Sequence, residues 1–217
     1  MNTIDSIIIE ATDVTAAEAF YDSAFGLGDR VRVRRSDAAS SGFRGFTLSL
    51  VAAQPADVHS LFDAAVAAGG TPIKPVTKSM WGHGGTVRAP DGTIWKIATS
   101  AKKDTRPASR AVESVVLLLG SGDVGASKRF YTEQGLRVGK SFGAYAEFSM
   151  DESPIRLGLY ARKALAKDAG VPIEGSGSHR IVIVGDGGAA TDPDGFRWEA
   201  AAPRPAPTAT ADATATA

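Results

Sequence analysis

The side chains of this sequence that could do chemistry gather around one phrase that occurs twice. In Asp192-Pro193-Asp194-Gly195-Phe196-Arg197-Trp198-Glu199, a Pro-Asp-Gly turn feeds a last strand that carries an acid. Proline presets φ at the first turn position and glycine accepts positive φ, so the turn has a mechanism. The earlier copy, Pro90-Asp91-Gly92-Thr93-Ile94-Trp95-Lys96, places a lysine where the later one places Glu199. That one difference between near-identical turns is the best functional lead in the sequence, and His179 heads a further expected strand, Ser178-His179-Arg180-Ile181-Val182.

The other histidines divide. His59 falls off the apolar stripe of a helix expected over 56–68 and reads as a solvated residue. His83 lies in Trp81-Gly82-His83-Gly84-Gly85, where glycines permit rearrangement and the indole offers a flat apolar wall. Such a loop suits the cover of a ligand pocket; the alternative is a hairpin connection with Trp81 folded onto a sheet. No helix follows it and no Gly-Lys-Ser/Thr, which excludes a phosphate loop. Trp81, His83, Tyr145 and Trp198 are the candidate ligand-binding residues of an aromatic-walled pocket. Trp95 and Trp198 hold equivalent places in the two copies, however, which favours packing. Ser178 and His179 are adjacent on an expected strand and face opposite ways, so they make no nucleophile–base pair.

Several elements must position these residues. Ser6 to Glu10 is a β-branched strand, followed by a helix capped by Asp13 or Thr15 and stopped at Gly26-Leu27-Gly28. Strands are expected over 30–34, 45–53, 71–78, 85–89 and 93–99, with the 56–68 helix among them. After a polar stretch at 100–110 the pattern restarts: strand 112–119, helix 126–133, strands 145–150 and 155–160, helix 162–169, strand 179–184 and the closing strand.

Composition narrows the function classes. The 217 residues are 43% hydrophobic and 22% charged, ordinary for a globular protein. Lys+Arg and Asp+Glu each number 24, so no overall field draws the chain to nucleic acid or to a membrane. The basic run at 30–35 alternates Arg with Val and reads as one solvated strand face. There is no cysteine, which removes disulfides, thiolate metal sites and cysteine nucleophiles. The first residues lack a basic segment followed by an apolar one, and no apolar run approaches a membrane span, so a cytoplasmic location is expected.

Internal duplication ties these features together. Asp13 and Asp123 lie 110 residues apart, as do Phe20-Tyr21 and Phe130-Tyr131, while Pro90 and Pro193 lie 103 apart. The repeated phrases, SIIIEATDV with SVVLLLGSGDV, EAFYDSAFGL with KRFYTEQGL, and the turn-and-strand ending, resemble the vicinal oxygen chelate superfamily. That superfamily includes glyoxalase I, bleomycin-resistance proteins and extradiol dioxygenases. The resemblance implies an α+β fold of two tandem βαβββ modules whose curled, mostly antiparallel sheets form cavities. They are expected at 1–100 and 111–202, with a linker at 101–110 and an Ala/Thr/Pro tail without a core at 203–217.

Family chemistry rests on a divalent metal held by a first-strand His, a middle-strand His or Glu, and a Glu after the turn. Carried onto this chain, Glu199 matches the last ligand and His179 a middle one, while serine or valine stands at the first-strand position and Lys96 replaces the terminal acid of the first module. Glu10 and Glu147 fall outside the pattern. The expected function is therefore binding of a small, aromatic molecule in a cavity without a cofactor. The alternative is a lyase, isomerase or dioxygenase using Zn, Ni, Mn or Fe at His179 and Glu199; a scaffold with filled cavities is the third reading. The expected partner is a small molecule, with neither nucleic acid nor membrane, and the chain is expected as a monomer or homodimer.

Overall fold

The computed structural model describes residues 1–201, so the tail expected at 203–217 lies outside the described residues. The first half runs β1 (Ile4–Ala11), α1 (Val14–Ala24), β2 (Val31–Arg35), β3 (Ser40–Gly42), β4 (Phe46–Val51), α2 (Pro55–Ala67), β5 (Thr71–Ser79), β6 (Gly82–Arg88) and β7 (Ile94–Thr99). The second runs β8 (Ser114–Ser121), α3 (Val124–Glu133), β9 (Arg137–Phe142), β10 (Tyr145–Ser149), β11 (Ile155–Ala161), α4 (Arg162–Ala169), β12 (Gly175–Gly177), β13 (Ile181–Gly185), β14 (Ala190–Thr191) and β15 (Arg197–Ala200). Asp13 and Asp123 cap α1 and α3 by accepting from the N–H of Ala16 and Ala126, each at 3.0 Å. Each cap satisfies a donor that the first helical turn leaves free. Pro55 opens α2, where its missing N–H has no partner to lose.

Strand pairing redistributes the two halves. One mixed sheet has the order β5-β6-β7-β4-β8-β11-β10-β9, a second has β14-β15-β13-β1-β2, and β3 pairs with β12 in a short ribbon. Two complete βαβββ units lie in the large sheet, β4-α2-β5-β6-β7 and β8-α3-β9-β10-β11. In each, the first and last strands are parallel neighbours and the hairpin strands extend outward. The units meet through antiparallel β4 and β8, from Phe46↔Leu119 to Val51↔Ser114. Their bounds thus differ from 1–100 and 111–202. The remaining pieces, β1-α1-β2 and β13 to β15, come together from opposite ends of the chain through β1 and β13, with Ile7↔Ile183 and Ile9↔Ile181 in register. Every residue of β13 is buried, so this strand needs neighbours on both edges and covers on both faces. Alternation in a sequence reveals which residues face inward but not which strand lies alongside.

One continuous core fills the space where α1 and α3 lie. Trp95 on β7 packs against Tyr21 of α1 and Phe25, with ring centroids 5.6 and 4.9 Å away. Trp198 on β15 packs against Tyr131 of α3 at 5.8 Å. Helix α1 thus belongs by its strand to the small sheet and by its aromatic contact to the large one; α3 does the reverse.

The segment expected as a linker is pinned down. Gln54 Oε1 accepts from the N–H of Thr105 and Arg106 at 2.9 and 3.1 Å. The fully buried Asp57 carboxylate accepts from Ser109 N at 2.6 Å and from Arg106 Nη2 at 3.0 Å. Burial pushes the Asp57 pKa up, but Ser109, Gln54 and Arg106 outweigh it and hold the group below the usual carboxylate range. Strand β9 has no counterpart in the sequence reading because all six of its residues are exposed and no apolar alternation marks it. Among the described residues, no helix is long and apolar enough to cross a membrane.

Candidate functional site

Helix α4 packs on the face of the large sheet opposite the main core, where a cavity would have had to open. Leu165, Ala166 and Ala169 of α4 form a second small core with Phe43 and Ile94, against which Leu118 and Tyr160 of the sheet pack. Helix α4 therefore covers part of that face with its own side chains. Beside it an open cleft of about 450 Å³ remains, lined by Val51, Trp81, His83, Lys96, Ala98 and Asp168 among others. Lys96 on β7 reaches the carboxylate of Asp168 on α4 at 2.7 Å, so the ion pair ties the helix to the sheet at the cleft wall. Both side chains keep about a third of their surface in water, 33% and 36%. The Nε2 of His83 is buried without a hydrogen-bond partner. An apolar wall with one orphaned polar atom and one cation beside it suits a small ligand with a hydrogen-bonding or anionic edge.

The glycines around His83 serve packing. A Cβ on Gly82, which has φ +129°, would lie 1.8 Å from the carbonyl oxygen of Thr99, and one on Gly85 would press on Phe62 of α2 at 2.9 Å. The stretch is a hairpin connection at Trp81, which is exposed rather than folded onto the sheet, and from Gly82 onward it is strand β6, lying close to β7 and α2 where nothing larger than hydrogen fits.

Of the residues expected to bind a ligand, the structure brings Trp81 and His83 together at this cleft. Tyr145 is on β10, five strands along the large sheet from β6. Its hydroxyl donates to Glu147 at 3.1 Å and its ring packs on Phe142 and Tyr160. Burial first, and then the Glu147 carboxylate, push its pKa up to about 12. Trp198 is 2% exposed in the core and faces no cleft. Lys96 and Asp168 complete the cleft. The lysine stood out by contrast with Glu199, while nothing in the sequence marks Asp168 beyond its place on a helix.

The two residues expected as metal ligands have other partners. His179 does not begin the strand expected over 179–184, because Arg180 adopts φ 52° and breaks the extended backbone before Ile181. The Arg180 side chain holds that kink by donating to the carbonyl oxygens of Ala38 and Ser36. The His179 ring lies between two carbonyl oxygens, Nδ1 2.6 Å from that of Arg44 and Nε2 3.0 Å from that of Asp194, and stacks on Phe196 at 4.1 Å. Neither nitrogen has a lone pair turned to open space. Glu199 accepts from Arg34 Nη1 at 2.9 and 3.2 Å.

A second acid shares that arginine. Glu10, paired across β1 and β2 with Arg34, accepts from it at 2.9 Å and from Arg197 at 2.6 Å, with its side chain only 6% exposed. The small sheet thus carries a lattice of two carboxylates and two guanidiniums on its outer face, and Arg34 stands between the acids. Among the described residues no group of three or more His, Asp or Glu side chains is arranged to hold a metal ion. A ligand imidazole must offer a free lone pair and a ligand carboxylate must be free of a competing cation. His179 and Glu199 as placed do not fit a metal.

The two turn copies also differ in their acids. Tyr21 donates to Asp91, the aspartate of the Pro-Asp-Gly turn. Tyr131 donates to Asp192, the residue before the proline, at 2.7 Å, and Trp198 Nε1 lies 3.3 Å from the same hydroxyl. That leaves the turn aspartate Asp194 to accept from Ser127 Oγ at 2.6 Å and Gly122 N at 2.7 Å.

With this geometry in view, the solved structures that resemble the chain are informative. Glyoxalase I from Zea mays superposes with a TM-score of 0.60 at 15% identity, covering 90% of each chain. A mutant of the same maize enzyme gives 0.60 at 14% identity, with 91% and 92% covered. A protein of Bacillus subtilis with a provisional dioxygenase description gives 0.58 at 11% identity, covering 92% of this chain and 84% of its own. No protein-family model and no curated protein sequence matches the chain. The chain has the glyoxalase I fold, with sheets that draw strands from both of its halves.

Proposed function

We propose that this protein binds a small, flat organic molecule with an anionic or hydrogen-bond-accepting edge in the cleft beside α4. The observation that carries the reading is the buried, unpartnered Nε2 of His83 in a cleft walled by Trp81, Val51 and Ala98. A buried polar atom without a partner is uncommon, and a ligand atom would satisfy it once the His83 ring turns into the cleft. Lys96 adds positive charge at the same wall, and its ion pair with Asp168 gives it a place to rest when no ligand competes. Sequestration in this manner requires no metal at the cleft.

Tryptophan fluorescence tests the reading directly. Trp95 and Trp198 are 0% and 2% exposed whereas Trp81 is 79% exposed, so a ligand in the cleft perturbs one indole selectively. Titration with a panel of planar aromatic acids should give saturable quenching that Trp81→Phe alters and that His83→Ala weakens about tenfold, the value of one hydrogen bond to a buried group. Absence of saturable binding across the panel, or binding indifferent to His83→Ala and Lys96→Gln, would sink the proposal.

A further inference from the structure

The two most exposed large apolar side chains of the described residues are neighbours. Met80 and Trp81 are 80% and 79% exposed and form the two-residue turn between β5 and β6. Two-residue hairpin turns favour Asn, Asp and Gly, whose backbones tolerate the turn geometry; neither methionine nor tryptophan helps such a turn to form. The turn is held by other groups. Ser79 Oγ accepts from Trp81 N at 3.1 Å, and Lys102 Nζ donates to the carbonyl oxygens of Ser79 and Met80. The fold therefore displays about the largest apolar pair it could place on a turn, on a support that holds it still.

Cations surround that pair. Lys78 precedes it on β5 and Lys102 and Lys103 follow β7; all three are exposed, and among the described residues none makes an ion pair. Of the acids nearest the tip, Asp104 is exposed and accepts from the N–H of Ala56 at 2.7 Å, and Asp168 in the cleft is paired with Lys96. A chain with balanced total charge thus carries a local patch of lysines around an indole and a thioether.

We infer that the Met80–Trp81 tip is a docking point for an anionic lipid surface. An indole seats at the level of lipid headgroups, a thioether side chain reaches the acyl boundary, and lysines stay with the phosphates while their stems lie along apolar surface. One tip and three lysines give reversible, salt-sensitive attachment. Each lysine near an anionic surface contributes about fivefold in affinity. The alternative occupant, a second copy of this chain, would bring the same lysines against each other.

Sedimentation of the full chain with vesicles separates the outcomes. Vesicles rich in phosphatidylglycerol should carry the protein down and shift its emission to the blue, while pure phosphatidylcholine vesicles should do neither. Met80→Ser with Trp81→Ser should abolish sedimentation, Lys78→Ala and Lys103→Ala should each weaken it about fivefold, and raised salt should weaken it further. These four residues are exposed and hold no other element, so thermal unfolding should be unchanged and a loss cannot be charged to misfolding. His83→Ala should lose the cleft ligand and keep the vesicles, which separates this inference from the binding proposal. Sedimentation independent of the anionic lipid or unaffected by Trp81→Ser overturns it, as does concentration-dependent self-association in gel filtration that Trp81→Ser abolishes.

Discussion

The two strands that follow the Pro-Asp-Gly turns share one face and differ on the other. On the inner face, Trp95 and Trp198 are both buried against a helix tyrosine whose hydroxyl reaches an aspartate. On the outer face, Lys96 turns to Asp168 of α4 while Glu199 turns to Arg34 of β2. The inner face tolerates no change of size because it is packed on every side, and the two strands hold it in common. The outer face is half in water, where a change of sign costs little once a new partner is found. The two strands therefore differ in chemistry while their packing is alike.

The strongest way to break this comparison is to remove the indoles. Trp95→Ala and Trp198→Ala should each destabilise the protein by about 3–5 kcal/mol, measured by urea unfolding. A cost below about 1 kcal/mol in one of them would show that its copy does not use the indole as packing.

A smaller effect should appear at alkaline pH. Burial first, and then the carboxylates of Asp91 and Asp192, hold the hydroxyl pKa values of Tyr21 and Tyr131 well above the ordinary tyrosine value. A folded-state pKa that is raised contributes stability fully below the unfolded value and loses it as pH rises past that value. The urea midpoint should therefore fall as pH climbs above about 10. Tyr21→Phe and Tyr131→Phe should each flatten that fall and cost about 1–3 kcal/mol at neutral pH. A midpoint that stays level as pH rises would contradict the buried pairing in both copies.

The smallest effects sharpen the comparison instead. Lys96→Gln and Glu199→Gln should each cost less than about 1 kcal/mol, since both pairs are partly in water. Only Lys96→Gln should change affinity for a cleft ligand, because Glu199 lies on the other sheet. Equal effects of the two on binding would place the ligand elsewhere.

Much of the fold is legible from residues that act locally. Asp13 and Asp123 announce helix starts because a cap is a contact three residues long, and the 162–169 helix is bounded by Gly170 with φ 81°. The partner of β1 is invisible because nothing in SIIIE specifies whether the strand alongside comes from its own half or from 181–185. At the site, Trp81 and His83 stand close in sequence, so their meeting is readable. The placing of Glu10, Arg34, Arg197 and Glu199 depends on four strands from both ends of the chain. His179 misleads because a single residue with positive φ, Arg180, separates it from the strand it heads in the sequence.

The pairing of β1 with β13 has a consequence for synthesis. Ile7, Ile8 and Ile9 are made more than 170 residues before their antiparallel partner. A ribosome adding about 5–20 residues per second leaves that isoleucine-rich edge unpaired for roughly 10–35 seconds. During that interval β2 covers one side of β1, and the other side is an open template for any extended chain nearby. A nascent chain released before residue 181 should therefore aggregate or recruit chaperones through β1, and supplying the missing C-terminal segment as a separate peptide should rescue it.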